Sequence, residues 1–488
     1  MIQQSTSFCL CRHLISVVLL CLCALFPSAF ATELPDLGNS ASAVLSPAQE
    51  IELGRNALRE IQAQVSFSQD EVVNAYLQNL GYRLIAVQGQ TQMPYQFFVV
   101  KDSTLNAFAL PGGFICVNSG LILASGSESE LAGVLAHEVA HVQQRHIARM
   151  YEHLGKLQLS TIAGVLAALV LSTQSGEAAQ GALMATLAGS QQSMINYTRE
   201  HEKEADAIGI NTLAKAGFDP MGMPAFFHRM SQETRFYGNH VPEYLLTHPL
   251  TENRMVLAQS RAKEFPYRQI PDSLQYHLIQ ARVQLEQFVI PKEASRYFAQ
   301  KLATGQYRSR EGTLYGYSLA LLSQGKPEEA KPYLDELIKA LPNQPLIQMA
   351  YAHMEIGLNQ SAQGLQRLAS ALDNHPQNYP LTLSYSETLI RSGQSEKAIA
   401  VLKKQLGNKP VKARLWDLLS RAYAKHEEPL KAHLAQAQYL KLVGDLQGAL
   451  AQLRIAKKLS PTTPELAQIN SQMKEIQDKL GKKASKLG

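Results

Sequence analysis

His137-Glu138-Val139-Ala140-His141 is the segment whose residue types and spacing could do chemistry. On a helix, residues four apart lie one turn apart on one face, so His137 and His141 can offer two imidazole nitrogens to a single metal ion. Glu138 is rotated about 100° from His137, which keeps it off the metal and lets it act as general base toward an attacking water. A catalytic zinc also needs a third protein ligand and an open position. His146 is close in sequence, but on a continuous helix it would lie about 180° around from His137, on the wrong face. The metzincin pattern would need glycine at 144 and histidine at 147, where this chain has Gln144 and Ile147. The acidic run Arg199-Glu200-His201-Glu202-Lys203-Glu204-Ala205-Asp206 supplies three competing glutamates. Glu202 and Asp206 share a helix face, whereas Glu200 and Glu204 point about 160° away from Glu202. A ligand carboxylate with a second carboxylate one turn on, orienting a ligand histidine, is a common metal-site arrangement.

These groups need elements to hold them. Ser46-Pro47 starts a helix whose apolar face continues through Ile51, Leu58 and Ile61, and a second helix runs through Val72, Leu77, Leu80 and Leu84. Tyr95–Val100 and Phe114–Asn118 read as strands, with Pro111-Gly112-Gly113 as punctuation between them. Helical spacing then runs from Glu128 to about Tyr151 and carries the histidine motif. An extended edge at Asn106, Ala107, Phe108 and Ala109 could pair with a substrate backbone beside the metal.

The chain has 488 residues, 45% apolar and 18% charged, which is globular composition and excludes a disordered or collagen-like chain. Four of the five cysteines lie before residue 31, in a stretch with Arg12, an apolar run Leu14–Phe26 and Ala29-Phe30-Ala31. That order predicts a signal peptide over 1–31, cleaved after Ala31, and so an exported chain whose lone Cys116 makes no internal disulfide. A bacterial periplasm fits best. Residues 32–272 carry net charge −7 and residues 273–488 carry +11, which predicts two domains that attract each other or a basic half with an anionic partner. The export signal, and the lack of a basic run interleaved with aromatics, argue against a nucleic-acid partner. Residues 157–198 are nearly uncharged and rich in small side chains; they predict buried helices or a peripheral membrane contact.

From residue 273 onward the chain repeats. Pro342, Pro376 and Pro410 recur every 34 residues. Gly325-Lys326-Pro327-Glu328-Glu329-Ala330 matches Gly393-Gln394-Ser395-Glu396-Lys397-Ala398 in phase, Gly357 fits the unit between them, and Gly444 with Pro461 marks a last one. A period of 34 with a central turn resembles the tetratricopeptide repeat, helix pairs that stack because no pair buries its apolar face alone. The expected fold is mainly α with a small β-sheet: a metalloprotease domain (32–272) followed by a helical solenoid (273–488).

The motif helix, the R-x-x-E-x-E-A-D run, Thr247-His248-Pro249 with Arg254, and Leu105–Gly113 together resemble the HtpX-related metallopeptidases, a gluzincin family. With a signal peptide and C-terminal repeats, the chain is similar to that family's periplasmic branch. The resemblance implies one Zn2+ per chain held by His137, His141 and Glu202, with Glu138 as the catalytic base. Asp206, His248 and Arg254 would stand behind or beside the metal. It also implies an endopeptidase with chaperone-like character acting on unfolded or misassembled outer-membrane proteins, in outer-membrane protein and lipopolysaccharide-transport assembly. The repeats would engage the assembly machinery. The competing reading is an assembly chaperone or adaptor whose proteolysis is latent. Pro249 biases His248 toward an extended backbone, from which Nε2 could swing onto the open metal position and block it, or stabilise an oxyanion.

Overall fold

The computed structural model describes residues 45–89, 93–154, 191–236, 242–267, 270–407, 412–459 and 462–484. The expected signal peptide, and residues 157–190 of the uncharged stretch, lie outside the described residues. Among the described residues no helix is long and apolar enough to cross a membrane.

The first half opens with α1 (Pro47–Gln62), whose start is a capping box between Ser46 and Gln49, and α2 (Glu71–Ala86), capped by Asp70. Three strands follow, β1 (Gln96–Val100), β2 (Ala107–Leu110) and β3 (Phe114–Asn118). They lie in the order β1-β3-β2, with β1 parallel and β2 antiparallel to β3. β2 is therefore an edge strand. The turn from β2 to β3 passes through Gly112 at φ 74°, where a Cβ would come within 2.5 Å of the Ile51 backbone of α1. Only glycine lets α1 seat on that turn and hold β2 in place.

After α3 (Ser119–Ala124) comes α4 (Glu128–Gln143), capped by Ser127, with every residue from Glu128 to Ala140 buried. A helix buried all round is the central strut of its domain. The helical spacing expected to run on to Tyr151 is broken. α4 stops at Gln143, Arg145 takes a left-handed φ of 52°, and α5 (His146–Leu154) starts afresh. Buried Glu50 on α1 accepts from Arg145 Nε at 2.9 Å and holds that corner. Helices α6 (Gln191–Lys215), α7 (Gly222–Phe236), α8 (Glu243–Thr247) and α9 (Glu252–Ala262) complete this half. Gly209 on α6 lies so close to α4 that a Cβ would sit 3.2 Å from the His137 amide nitrogen.

The second half is helical hairpins. α10 (Leu274–Leu285) and α11 (Pro291–Thr304) lead into α12 (Arg310–Ser323) with α13 (Pro327–Ala340) and α14 (Pro345–Gly357) with α15 (Ser361–Asn374). Then come α16 (Tyr379–Arg391) with α17 (Ser395–Leu406), α18 (Ala413–Lys425) with α19 (Pro429–Leu442), and α20 (Leu446–Lys458) with α21 (Thr463–Ala484). The turns inside the first four of these pairs reach a left-handed backbone at Gly325, Asn359, Gly393 and Glu427, one every 34 residues. Gly357, expected to mark the second unit, is instead inside the last turn of α14, and Asn359 does the turning. Gly444 turns between α19 and α20, half a period out of phase.

The expected division at 272/273 falls within a continuous apolar cluster that runs from Val72 to Leu381. Asp70 of the acidic half pairs with Arg282 of the basic half at 2.7 Å, and Arg282 also donates to the Tyr315 hydroxyl at 2.8 Å. Glu128, at the start of α4, accepts from the Tyr76 hydroxyl at 2.8 Å and from the Ser273 amide at 3.0 Å. The helix that carries the histidine motif is thus fastened to the start of α10.

Candidate metal centre

α4 and α6 cross at Gly209, which brings the two motif histidines against the acidic run. One donor atom each from His137, His141, Glu202 and His248 lies within 4.8 Å of the others. His137 Nε2 is 3.0 Å from His141 Nε2 and 3.3 Å from both His248 Nδ1 and Glu202 Oε2. Glu202 Oε1 is 3.3 Å from His141 Nε2 and 3.0 Å from His248 Nδ1. Three ring nitrogens and a carboxylate, each buried or nearly so, converge on one point. Neutral imidazoles carry one proton each, so such a knot of lone pairs is best satisfied by a shared cation.

The remaining candidates surround this point. Asp206 Oδ1 lies 3.0 Å from the other ring nitrogen of His137, Nδ1, close but poorly aligned for a linear hydrogen bond. A carboxylate can only accept, so it favours a proton on Nδ1 and leaves Nε2 free toward the cluster. Arg254 grips Asp206 through Nε and Nη2, each at 2.8 Å, reaches Glu202 Oε2 at 2.9 Å, and donates to the Pro249 carbonyl. Of the competing glutamates, Glu202 reaches the cluster and Glu204 turns outward; helical phase puts the two on opposite faces without choosing between them. Glu200 takes no part in the cluster.

Both oxygens of Glu138 are buried without a well-formed hydrogen bond, beside the Ala109 amide and 3.4 Å from His248 Nε2. Burial pushes its pKa up, which suits a group that must take and return a proton near neutral pH. Burial likewise pushes Glu202 up, but His248, His141 and His137 overcome it and hold that carboxylate well below the usual range. Burial lowers His141 to about 4. At His137 burial is outweighed by the Asp206 and Glu202 carboxylates, which raise its pKa, so a proton and a metal ion compete for this ring.

His248 meets the cluster through Nδ1, not through Nε2 as expected, and its Nε2 faces Glu138. Tyr244 holds it there. The two rings stack at 4.7 Å, and the Tyr244 amide donates to the Leu105 carbonyl at 3.0 Å. In β2 the alternation directs the backbone groups of Asn106, Phe108 and Leu110 at β3, and those of Ala107 and Ala109 outward. The Phe108 side chain packs among α1 residues, so of this residue neither side chain nor backbone faces the centre. Asn106 is buried, with its Oδ1 unpaired.

Two neighbours escaped sequence reasoning. His146 would lie on the wrong face of a continuous helix, yet the break at Arg145 returns its Nδ1 to 2.8 Å from His141 Nδ1. Tyr244 had one available signal, its position four residues before His248. The break had none, because Gln144-Arg145 contains no glycine or proline.

The sequence pattern of peptidase family M48 matches residues 71–262, and a tetratricopeptide repeat pattern matches residues 355–422. A beta-barrel assembly-enhancing protease of Escherichia coli is 32% identical over 426 residues, 87% of each chain. A Vibrio cholerae relative, named "Putative beta-barrel assembly-enhancing protease", is 38% identical over 414 residues, 83% of this chain and 85% of its own. The chain belongs to peptidase family M48. Within it, the chain falls among the beta-barrel assembly-enhancing proteases. The mitochondrial metalloendopeptidase OMA1 of Schizosaccharomyces pombe is 32% identical over 180 residues, 37% of this chain and 50% of that one. This M48 protein is a metalloendopeptidase with tetratricopeptide repeats, and the residues gathered at His137 could hold a metal ion.

Proposed function

We propose that this chain is a zinc endopeptidase of the periplasm that acts on misassembled outer-membrane β-barrel proteins. The carrying observation is the convergence of His137, His141, Glu202 and His248 within 4.8 Å, with buried Glu138 alongside. The nitrogen and oxygen donors of His137, His141 and Glu202 suit zinc, which when bound would polarise the scissile carbonyl and acidify a water. Glu138 takes the proton from that water and returns it to the leaving amine. The outward backbone groups of half-buried Ala109 pair with the extended substrate, whereas Ala107 is wholly buried. Asp206 orients His137, and Arg254 fixes Asp206 and Glu202 together. The relatives' name supports a role in β-barrel assembly. The solenoid at 273–488 is the surface that meets the assembly machinery, the sequence over 1–31 directs export, and lipopolysaccharide-transport assembly is a second setting for the same clients. Complementation of an outer-membrane defect tests this reading: wild type should rescue and Glu138→Gln should not. Rescue by the variant would favour a chaperone or adaptor.

One observation favours latency within this reading. His248 engages the cluster through one nitrogen and the base through the other, so a single side chain occupies both halves of the reaction centre. We read it as the resting block. His248→Ala should raise basal cleavage of an unfolded substrate several-fold, with self-cleavage visible on gels. Lower turnover with zinc retained would instead assign His248 to transition-state stabilisation.

A further inference from the structure

His141 has two ring nitrogens. Nε2 faces the metal-binding cluster, and Nδ1 lies 2.8 Å from Nδ1 of His146. The other nitrogen of His146, Nε2, lies 3.2 Å from Glu204 Oε2. Glu204 is in turn gripped by Arg149 Nη1 at 2.9 Å, and the His146 ring stacks face to face on His201 at 4.1 Å. His146 is 4% exposed, so its ring is held on every side by protein.

The chemistry of these contacts assigns the protons. An ionised carboxylate only accepts, so His146 Nε2 carries the hydrogen that faces Glu204. A neutral His146 then presents a lone pair at Nδ1. His141 must donate to it from its own Nδ1, which leaves the lone pair of His141 on Nε2, the nitrogen in the cluster. We infer that His146 and Glu204 form a relay that fixes the tautomer and ring orientation of His141 for metal binding, making His146 a positioning residue. The relay mirrors Asp206 on His137, with one difference: the carboxylate acts through an intervening imidazole. It also gives the helix break a purpose. On a continuous helix His146 would face away; the left-handed turn at Arg145, held by Glu50 of α1, folds it back.

The inference rests on His141 being a ligand, so zinc affinity is measured by chelator competition in wild type, His141→Ala, His146→Leu, His146→Asn and Glu204→Ala. Cobalt-loaded protein supplies the visible spectrum as a second readout. His146→Leu should weaken zinc binding by about 10- to 100-fold, the usual effect of removing a partner behind a ligand, and should shift the cobalt bands. His146→Asn can offer an amide oxygen in place of Nδ1 and should stay within about threefold of wild type. Glu204→Ala, partly exposed and safe for folding, should lose affinity several-fold. If His141→Ala keeps its zinc, the ligand assignment and the relay both fall. If His141→Ala loses zinc but His146→Leu binds it as wild type does, the relay alone falls. Should His146→Leu not fold, unchanged affinity in Glu204→Ala overturns it. Equal losses in His146→Leu and His146→Asn would also contradict it, since the acceptor atom would then not matter.

Discussion

Glu138→Gln is expected to lower kcat on an unfolded protein substrate by about 10²- to 10⁴-fold, the usual contribution of a positioned base, while the purified protein keeps its zinc. The side chain is 1% exposed and its oxygens make no well-formed hydrogen bond, so the amide fits the same space without breaking a contact. KM should change little, because the proposed substrate pairing is with backbone on β2 and does not involve the Glu138 side chain. His137→Ala should lose metal and activity together. The pair of variants separates the base from the ligand. Activity near wild type in Glu138→Gln would remove this glutamate from the mechanism.

Arg254 carries the second large effect. It is 2% exposed and bonds two buried carboxylates, Asp206 and Glu202. Removing one partner of a buried ion pair typically costs about 3–5 kcal/mol, because the charge left behind has neither water nor a counterion. Arg254→Leu should therefore destabilise the M48 half and weaken metal binding as well, since Asp206 would no longer be held against His137. Arg254→Lys should rescue little: an ammonium is a point donor and cannot reproduce the two parallel bonds to Asp206. Thermal unfolding followed by circular dichroism, with and without added zinc, reads both effects. A lysine variant as stable as wild type would show that charge alone, not the planar fork, holds the site.

The chemistry of the site was legible in the sequence because helical phase is a local property. His137 and His141 follow from spacing on one helix, but on the second helix spacing leaves Glu202 and Glu204 as rivals on opposite faces, and only the family resemblance picks Glu202. The 34-residue period of the solenoid was legible for a related reason, since each pair repeats the same contacts. Which residue makes each turn was harder to read. Asn359 and Glu427 take the left-handed backbone where a search for glycine finds nothing. Arg145 does the same beside the motif, and there the cause is tertiary: its guanidinium pays into a buried pair with Glu50, some 95 positions earlier in the chain. His248 was visible as a candidate, but the choice between its nitrogens was not. That choice depends on Tyr244 stacking beneath the ring and on the Leu105 carbonyl that anchors Tyr244.

The account rests on a metal held between α4 and α6, and metal analysis of the Glu202→Gln protein tests it most directly. The substitution keeps the volume of a side chain that is 3% exposed while removing its charge. Elemental analysis after dialysis should find one zinc per chain in wild type and in Glu200→Gln, and well under one in Glu202→Gln. Full zinc occupancy in Glu202→Gln would contradict the site described for this chain.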